Sequence, residues 1–468
     1  MELNYKLENL IKRYKDKVFI KDLTKKKEIS YNEFYQNSLY LHNYFKSKKI
    51  KEGSRIMIHM NNSLEYLYVL FACLIGNYVA CPVDTEIKKK KLKQLEKILR
   101  PSIKIKKEKD VKFLKFPSIV TEKKVPYILI FSSGTTGEPK GIQISNYSYI
   151  KSAISFSKLV NYDEQSNILH ILPMYYNAGI LNTFYSCFFA GSQITLAKKI
   201  SALNIFFFWD NILKENITSF HLTPEIANAL TKLKVSNNLK NKISKIKIIS
   251  TGSFIHQNIV DEFEKIYGVR ILSCYGTTEI GGPITIQSWE NSFVEGSVGY
   301  HSKEIKIKIL KKRGIKYVYV KSPYLMDCYI NSKGKKIIPK LKNGFFKTGD
   351  IGEYKKKELL ILGRRKDVIK KGSEIISLPY IENVAMKSKI IEDIASVSKY
   401  DLAKGSKVFI FVKFKKNKDL TAAINDLNKH FFKNLKKIEI PDKIIPVPLI
   451  PKTFNGKPKK QVLEQTYL

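Results

Sequence analysis

Two stretches of this chain carry residue types suited to phosphate chemistry. The first, Tyr127 to Gly141, reads YILIFSSGTTGEPKG. An apolar, β-branched and aromatic run from Tyr127 to Phe131 breaks into Ser132, Ser133, Gly134, Thr135, Thr136 and Gly137. Glycines let a backbone turn its N–H groups inward and hydroxyls add donors, so such a loop wraps polyphosphate oxygens. Lys140 adds a mobile point charge for the same anion. Gly137 is followed by Glu138 rather than lysine, so this is not the helix-opening nucleotide loop. Its glycine spacing is not that of the dinucleotide fingerprint either. On its own, the stretch reads more simply as a polar turn after a strand.

The second stretch, Cys274 to Gly282, reads CYGTTEIGG. Tyr275 offers a flat ring for a purine, Gly276 a close backbone approach, and Thr277 and Thr278 hydroxyl donors. Glu279 is a carboxylate among small neutral residues. Alone it is an exposed acid; beside a triphosphate loop it suits Mg²⁺, which binds through few carboxylates plus substrate phosphates. Further on, FFKTGD ends in Asp350, suited to accept both hydroxyls of a ribose. PKTFNGKPKK, from Pro451 to Lys460, sets Lys457 beside Gly456; in so basic a chain the default for Lys457 is a surface lysine.

The elements that must position these residues follow from periodicity. Phe34, Leu41 and Phe45 predict an amphipathic helix over Tyr31 to Lys46. A strand at Arg55 to Met60, a helix at Leu64 to Leu74 and a strand at Ala80 to Val83 follow. That alternation points to a parallel sheet with crossover helices. Lys88 to Leu99 reads as a basic helix with a solvated face, and Ile103 to Lys124 as an irregular surface connection. Leu169 to Leu172 is a buried strand stopped by Pro173, which leaves Tyr175 and Tyr176 at its carboxyl end, where parallel sheets place ligands. Those rings are as well an aromatic core as a pocket wall. A strand at Ile246 to Ser250 opens into Thr251, Gly252 and Ser253, and Val269 to Ser273 feeds the second phosphate-type stretch. After LLILGRRKD, from Leu359 to Asp367, come a proline-opened helix at Pro379 to Lys387, a strand at Val408 to Phe414 and a helix at Leu420 to Leu435. The expectation is α/β: a large N-terminal domain, 1–363, with mainly parallel sheets and flanking helices, then a small α+β domain, 364–468.

Composition narrows the class. The chain has 468 residues, 44% hydrophobic, and a formal net charge of +41. The lysines are spread through the chain rather than gathered in an arm, and no helix-turn-helix, zinc-finger or RNA-binding signature accompanies them. This reads as a bias towards Lys, Ile and Asn, with a basic surface that attracts phosphorylated ligands and acidic carrier proteins. Nucleic-acid binding is the weaker reading. Cys73, Cys81, Cys187, Cys274 and Cys328 are scattered and never at C-x-x-C spacing, against a disulfide framework or structural zinc. No apolar run has the length of a membrane span and the charged N-terminus is no secretory signal, so a cytoplasmic home is expected.

FSSGTTGEPKG, LPMYYNAG, CYGTTEIGG, FFKTGD, GRRKDVIKKG and PKTFNGK, in that order, resemble the adenylate-forming superfamily. Its members are acyl- and aryl-CoA synthetases, the adenylation domains of peptide synthetases, and firefly luciferase. The resemblance implies that Ser132, Ser133, Thr135, Thr136 and Lys140, in the loop with Gly134 and Gly137, hold the β- and γ-phosphates of ATP. Thr278 would contact the α-phosphate and Glu279 the magnesium; Tyr275 with Gly252 and Ser253 would frame the adenine, beside Gly276 and Thr277. Asp350 and Arg364 would bind the ribose, Lys366 would be the hinge of a mobile small domain, and Gly372 would line a thiol channel. Lys457 matches the lysine that touches substrate carboxylate and α-phosphate, and Tyr175, Tyr176 and Gly179 fall at the acyl pocket. Three positions depart from the pattern: Tyr176 stands at an aromatic gate where His is common, Cys328 replaces a usual glycine before Tyr329, and Tyr380 stands where an acid is frequent, although Glu382 remains.

The implied reaction makes an acyl-adenylate and pyrophosphate from a carboxylic acid and ATP, then a thioester. PMYYNAGILNTFY, from Pro173 to Tyr185, contains no acid to pair with a substrate ammonium, and an unpartnered buried ammonium is costly. An acid without an α-amine is therefore expected in an apolar or aryl pocket. An acyl-CoA synthetase using ATP, Mg²⁺ and CoA, of the kind that serves fatty acid metabolism, is the leading expectation. The alternative is a stand-alone adenylation enzyme that loads an acyl, aryl or amino acid onto the phosphopantetheine of a carrier protein.

Overall fold

The computed structural model describes residues 2–115, 125–133, 139–198, 200, 205–233, 237–289, 294, 296–312, 314–371, 374–401, 405–415, 419–453 and 457–468. A nine-stranded sheet runs in the order Tyr300–His301, Gly282–Ile286, Ile271–Thr277, Lys247–Ser250, Ser219–Leu222, Asn167–His170, Gln193–Leu196, Val18–Asp22, Lys27–Ser30. Its middle, from Ile271–Thr277 to Val18–Asp22, is parallel, and antiparallel hairpins extend both edges. A seven-stranded sheet runs Lys336–Ile337, Cys328–Ile330, Pro139–Ser145, Pro126–Ser133, Val79–Pro82, Arg55–Ile58, Ile103–Ile105. Here Pro126–Ser133 is parallel to Val79–Pro82 but antiparallel to Pro139–Ser145, so the strands on either side of the phosphate-type stretch pair with each other. A five-stranded antiparallel sheet includes Ile315–Lys321, Phe345–Lys355 and Glu358–Arg364.

The two large sheets share one core. Helix Leu64–Ile75 opens on Ser63, whose side chain accepts from the Tyr66 N–H, and every residue of the helix except Glu65 is buried. A helix apolar all round has no face to give to water, so it lies inside. Around it Phe19, Phe34, Phe71, Phe184, Tyr185 and Phe188 join strands of both sheets into a single cluster. Each such ring contributes roughly 1.5–3 kcal/mol on burial. The small C-terminal domain has its own sheet, Ile391–Asp401, Gly405–Phe414 and Lys443–Pro446, packed with helices Leu378–Met386 and Leu420–Asn434.

One expectation needs correction. The segment expected to be irregular from Ile103 contains an edge strand, Ile103–Ile105, parallel to Arg55–Ile58. Isoleucines alternate there with Lys104, and Ile105 is fully buried; residues 116–124 lie outside the described residues. Helix Lys89–Leu99 has the solvated lysine side expected of it, while Leu95, Ile98 and Leu99 on its other side pack on Met57, Val79 and Cys81.

Candidate active site

The first candidate cation sits where the hairpin register puts it. Ser132 pairs with Lys140 and Ser133 with Pro139 at the hairpin's end. Gly134, Thr135, Thr136 and Gly137 lie outside the described residues, as do the side chains of Ser132 and Ser133. Strand Cys328–Ile330 lies against the same hairpin, with Tyr329 opposite Ile142. The Lys140 ammonium stands 3.3 Å from the centre of the Tyr329 ring, a cation–π contact. Burial and then the Glu279 carboxylate, which faces the Tyr329 hydroxyl, push that hydroxyl well up. Lys140 and Glu279 thus converge on Tyr329, which the sequence reading passed over.

Glu279 is held by a short turn, Thr278–Ile280, at the end of strand Ile271–Thr277. The Glu279 carbonyl accepts from the Met326 N–H at 2.9 Å, and Gly281 closes the turn at φ +92°, a conformation that favours glycine. A Cβ on Gly276 would lie 1.9 Å from the Gly282 carbonyl oxygen, so only glycine fits this part of the hairpin. The Thr277 hydroxyl is buried with no hydrogen-bond partner among the described residues. A polar atom left unpaired inside a protein is costly, and this hydroxyl has its hydrogen-bonding capacity unused by the described residues.

Asp350 is the hub. It is 3% exposed. Its strand, Phe345–Lys355, pairs with Glu358–Arg364 so that Asp350 and Arg364 are opposite each other. The Arg364 Nε lies 3.1 Å from Asp350 Oδ1, and the Tyr275 hydroxyl donates to Asp350 Oδ2 at 2.6 Å. The Asp350 N–H donates to Thr348 Oγ1 at 3.0 Å, which fixes the turn. Burial raises Asp350 above the ordinary carboxylate range against the opposing pull of Arg364, Tyr275 and Lys457. Burial and the Asp350 charge likewise push Tyr275 far up, so its phenol stays a donor. Lys457 is exposed on its loop, yet its charge reaches Asp350. Residues from three sheets therefore cluster here, and the charge of Lys457 from the small domain acts on the same aspartate.

The remaining predicted residues fall as follows. Gly252 follows strand Lys247–Ser250 at φ +95°, with Ser253 half-buried beside it. Lys366 lies in the turn Arg365–Asp367; its side chain and all of Gly372 are outside the described residues. Tyr176 is pushed up to about 12 by burial, with Cys274 and Arg364 close by. Gly179 is buried in a π-helical segment, Ala178–Tyr185; a Cβ there would stand 2.2 Å from the Pro173 oxygen. The Gly179 carbonyl accepts from His170 Nε2 at 2.9 Å and Thr183 Oγ1 at 2.8 Å. Tyr175 is raised by burial and then by Asp84 and Glu86. These two acids come from the loop after strand Val79–Pro82, so the acid-free run from Pro173 to Tyr185 does not make the surroundings acid-free. Glu382 is engaged within the small domain, accepting from the Ser396 N–H at 2.7 Å and lying 3.7 Å from Lys460.

The chain matches the AMP-binding enzyme family over residues 7–114 and 97–330, and the AMP-binding enzyme C-terminal domain over 380–457. It is 24% identical over 386 residues to an acyl-CoA synthetase of Gibberella moniliformis, covering 75% of this chain and 67% of that one. A malonate–CoA ligase of Xenopus laevis is 23% identical over 382 residues, covering 73% and 65%. A 2-succinylbenzoate–CoA ligase of Staphylococcus aureus is 27% identical over 339 residues, covering 72% and 66%. The chain thus matches 65% to 67% of the length of these relatives. ATP-bound MatB from Rhodopseudomonas palustris superposes with a TM-score of 0.88 at 20% identity over 99% of this chain and 98% of that one. O-succinylbenzoate coenzyme A synthetase from Bacillus subtilis, in complex with ATP and magnesium ion, gives 0.83 at 20% over 98% and 99%. Those likenesses are of fold. From the family matches and the relatives together, the chain belongs to the AMP-binding enzymes of the adenylate-forming superfamily, acyl-CoA synthetase type.

Proposed function

We propose that this chain activates a carboxylic acid with ATP and passes the acyl group to a thiol, that of CoA rather than of a carrier protein. The observation that carries the reading is the convergence of Lys140, Tyr275, Glu279, Asp350, Arg364 and Lys457 on one cleft. Asp350 with Arg364 suits a ribose, and Tyr275, flanked by Gly252 and Ser253, suits adenine. The loop from Ser132 to Gly137, with Lys140, suits the outer phosphates, and Thr277 and Thr278 suit the inner one. Glu279, one carboxylate beside a phosphate site, fits Mg²⁺. When bound, that ion neutralises phosphate charge.

In the first step a substrate carboxylate oxygen bonds to the α-phosphorus and the bond to the bridging oxygen breaks, releasing pyrophosphate. Charge gathers on the α-phosphoryl oxygens as this happens. The Lys457 ammonium and the Thr278 hydroxyl stabilise it, the kind of preorganised electrostatics that supplies much of enzymatic rate. In the second step the thiol sulfur bonds to the acyl carbon, the acyl–oxygen bond to AMP breaks, and the thiol proton leaves to solvent. For this a small domain, 364–468, swings about Lys366 away from a large one, 1–363, and Gly372 lines the opened channel. Tyr175, Tyr176 and Gly179 border the acyl pocket, and with Asp84 and Glu86 beside Tyr175 its walls do not exclude an acid that carries an amine. CoA as acceptor is supported by CoA-ligase relatives, and a cytoplasmic site by five cysteines scattered in the sequence and never at C-x-x-C spacing.

The test is carboxylate-dependent release of pyrophosphate across a panel of acids, with CoA, a carrier protein or neither. AMP, pyrophosphate and an acyl-CoA are the expected products. ADP in place of AMP overturns the reading.

A further inference from the structure

Lys457 acts only if its loop stays against the ATP cleft, and one contact outside that cleft holds the loop there. Lys452 lies on the arm opposite Lys457: Lys452 pairs with Pro458, the Thr453 N–H donates to the Lys457 carbonyl at 2.9 Å, and the Lys459 N–H to the Pro451 carbonyl at 2.7 Å. The two lysines therefore move as one hairpin. The Lys452 ammonium lies 2.9 Å from Asp393 Oδ1, in its own domain, and 3.6 Å from Glu225 Oε1, in the large domain. Glu225 stands in the first turn of helix Pro224–Leu230, and its second carboxylate oxygen is buried with no hydrogen-bond partner among the described residues. A second ionic crossing, Lys232 to Glu392 at 3.6 Å, lies on the same face, and Glu392 also takes Lys413 at 2.9 Å.

We infer that Glu225 is a positioning residue: by pairing with Lys452 it holds the Lys457 hairpin in the acid-activating arrangement and releases it for thioester formation. This rests on the two-step reaction proposed above. The pair is built to detach. When the small domain swings away, Lys452 keeps Asp393 and so is never stripped of its counter-ion, whereas Glu225 passes from a partly buried site to water. A partly exposed ion pair is weak enough to break in every cycle. It still shifts a two-state balance by a useful factor.

The experiment compares Glu225→Gln, Lys452→Met, their double variant and Lys452→Arg in full-length protein. Acid-dependent ATP–pyrophosphate exchange reads the first step, and thioester formation from supplied acyl-adenylate reads the second. The expected result is a first step slowed about three- to tenfold in Glu225→Gln, with the second unchanged or faster. Lys452→Met should match that loss, Lys452→Arg should restore most of it, and the double variant should be no worse than the worse single one. Equal losses in both steps, unchanged rates, or additive losses overturn the inference. Absence of exchange in the unaltered protein overturns the functional reading instead.

Discussion

Lys457 has the sequence neighbourhood of a surface lysine and the exposure of one, yet its charge acts on Asp350. Its place in the chemistry predicts that Lys457→Ala slows adenylate formation by about a hundredfold or more while thioester formation from supplied acyl-adenylate survives. Separate assays of the two steps check this. Asp350 predicts a pH effect. Burial raises its pKa, and a protonated carboxyl accepts hydrogen bonds poorly, so kcat/KM for ATP should fall with decreasing pH at values above those of an exposed aspartate. Asp350→Asn should remove that acid limb and lower kcat/KM by about tenfold or more. The same shift makes the ionised form a cost to the fold: the Asp350 contribution to stability is fullest below the ordinary aspartate range and is lost as pH rises through the raised value. At this scale Glu279 and Asp350 were legible because each breaks the composition around it, whereas the glycines of the 132–137 loop lie outside the described residues. Tyr329 was not, since an aromatic in a strand looks like core. Asp84 and Glu86 were not, since they reach Tyr175 through folding rather than through spacing.

Among elements, the parallel strands carry the logic of the site: their carboxyl ends deliver Gly252 and the turn holding Glu279. The hairpin of Ile271–Thr277 and Gly282–Ile286 depends on the bare Cα of Gly276. Gly276→Ala should push the strands apart and displace Tyr275 from Asp350. A loss of roughly 1–3 kcal/mol, the usual range for overpacking, should appear in denaturant unfolding, together with weaker ATP binding. Helices with a clear apolar pattern, such as Tyr31–Ser47 and Leu64–Ile75, were found, but Glu2–Tyr14, Asn146–Leu159 and Gln257–Tyr267 were not named from the sequence. The strand Ile103–Ile105 was missed because three residues give too little periodicity, and Pro139–Ser145 because Pro and Gly at its start mark a turn.

For the whole molecule, a net charge of +41 means strong self-repulsion in dilute buffer. Raising salt to about 0.3 M shortens the screening length below roughly 8 Å. It should raise the thermal midpoint while weakening the affinity for ATP; a falling midpoint would contradict the reading. No helix among the described residues is long and apolar enough to cross a membrane. The body and the cap differ in how they are filled. Among the described residues, two of the cap's apolar clusters draw only on positions from Ile369 to Leu463, while Val368 at its start is buried with Ile315, Tyr317 and Ile351 of the body; helix Leu64–Ile75 ties both great sheets of the body together. Body halves are thus inseparable, but the cap is a cartridge that carries most of its own grease, clipped on by charge and by one apolar tab at Val368. A cap transplanted from a relative would bring its interior along and need to be matched at the clip and at that tab.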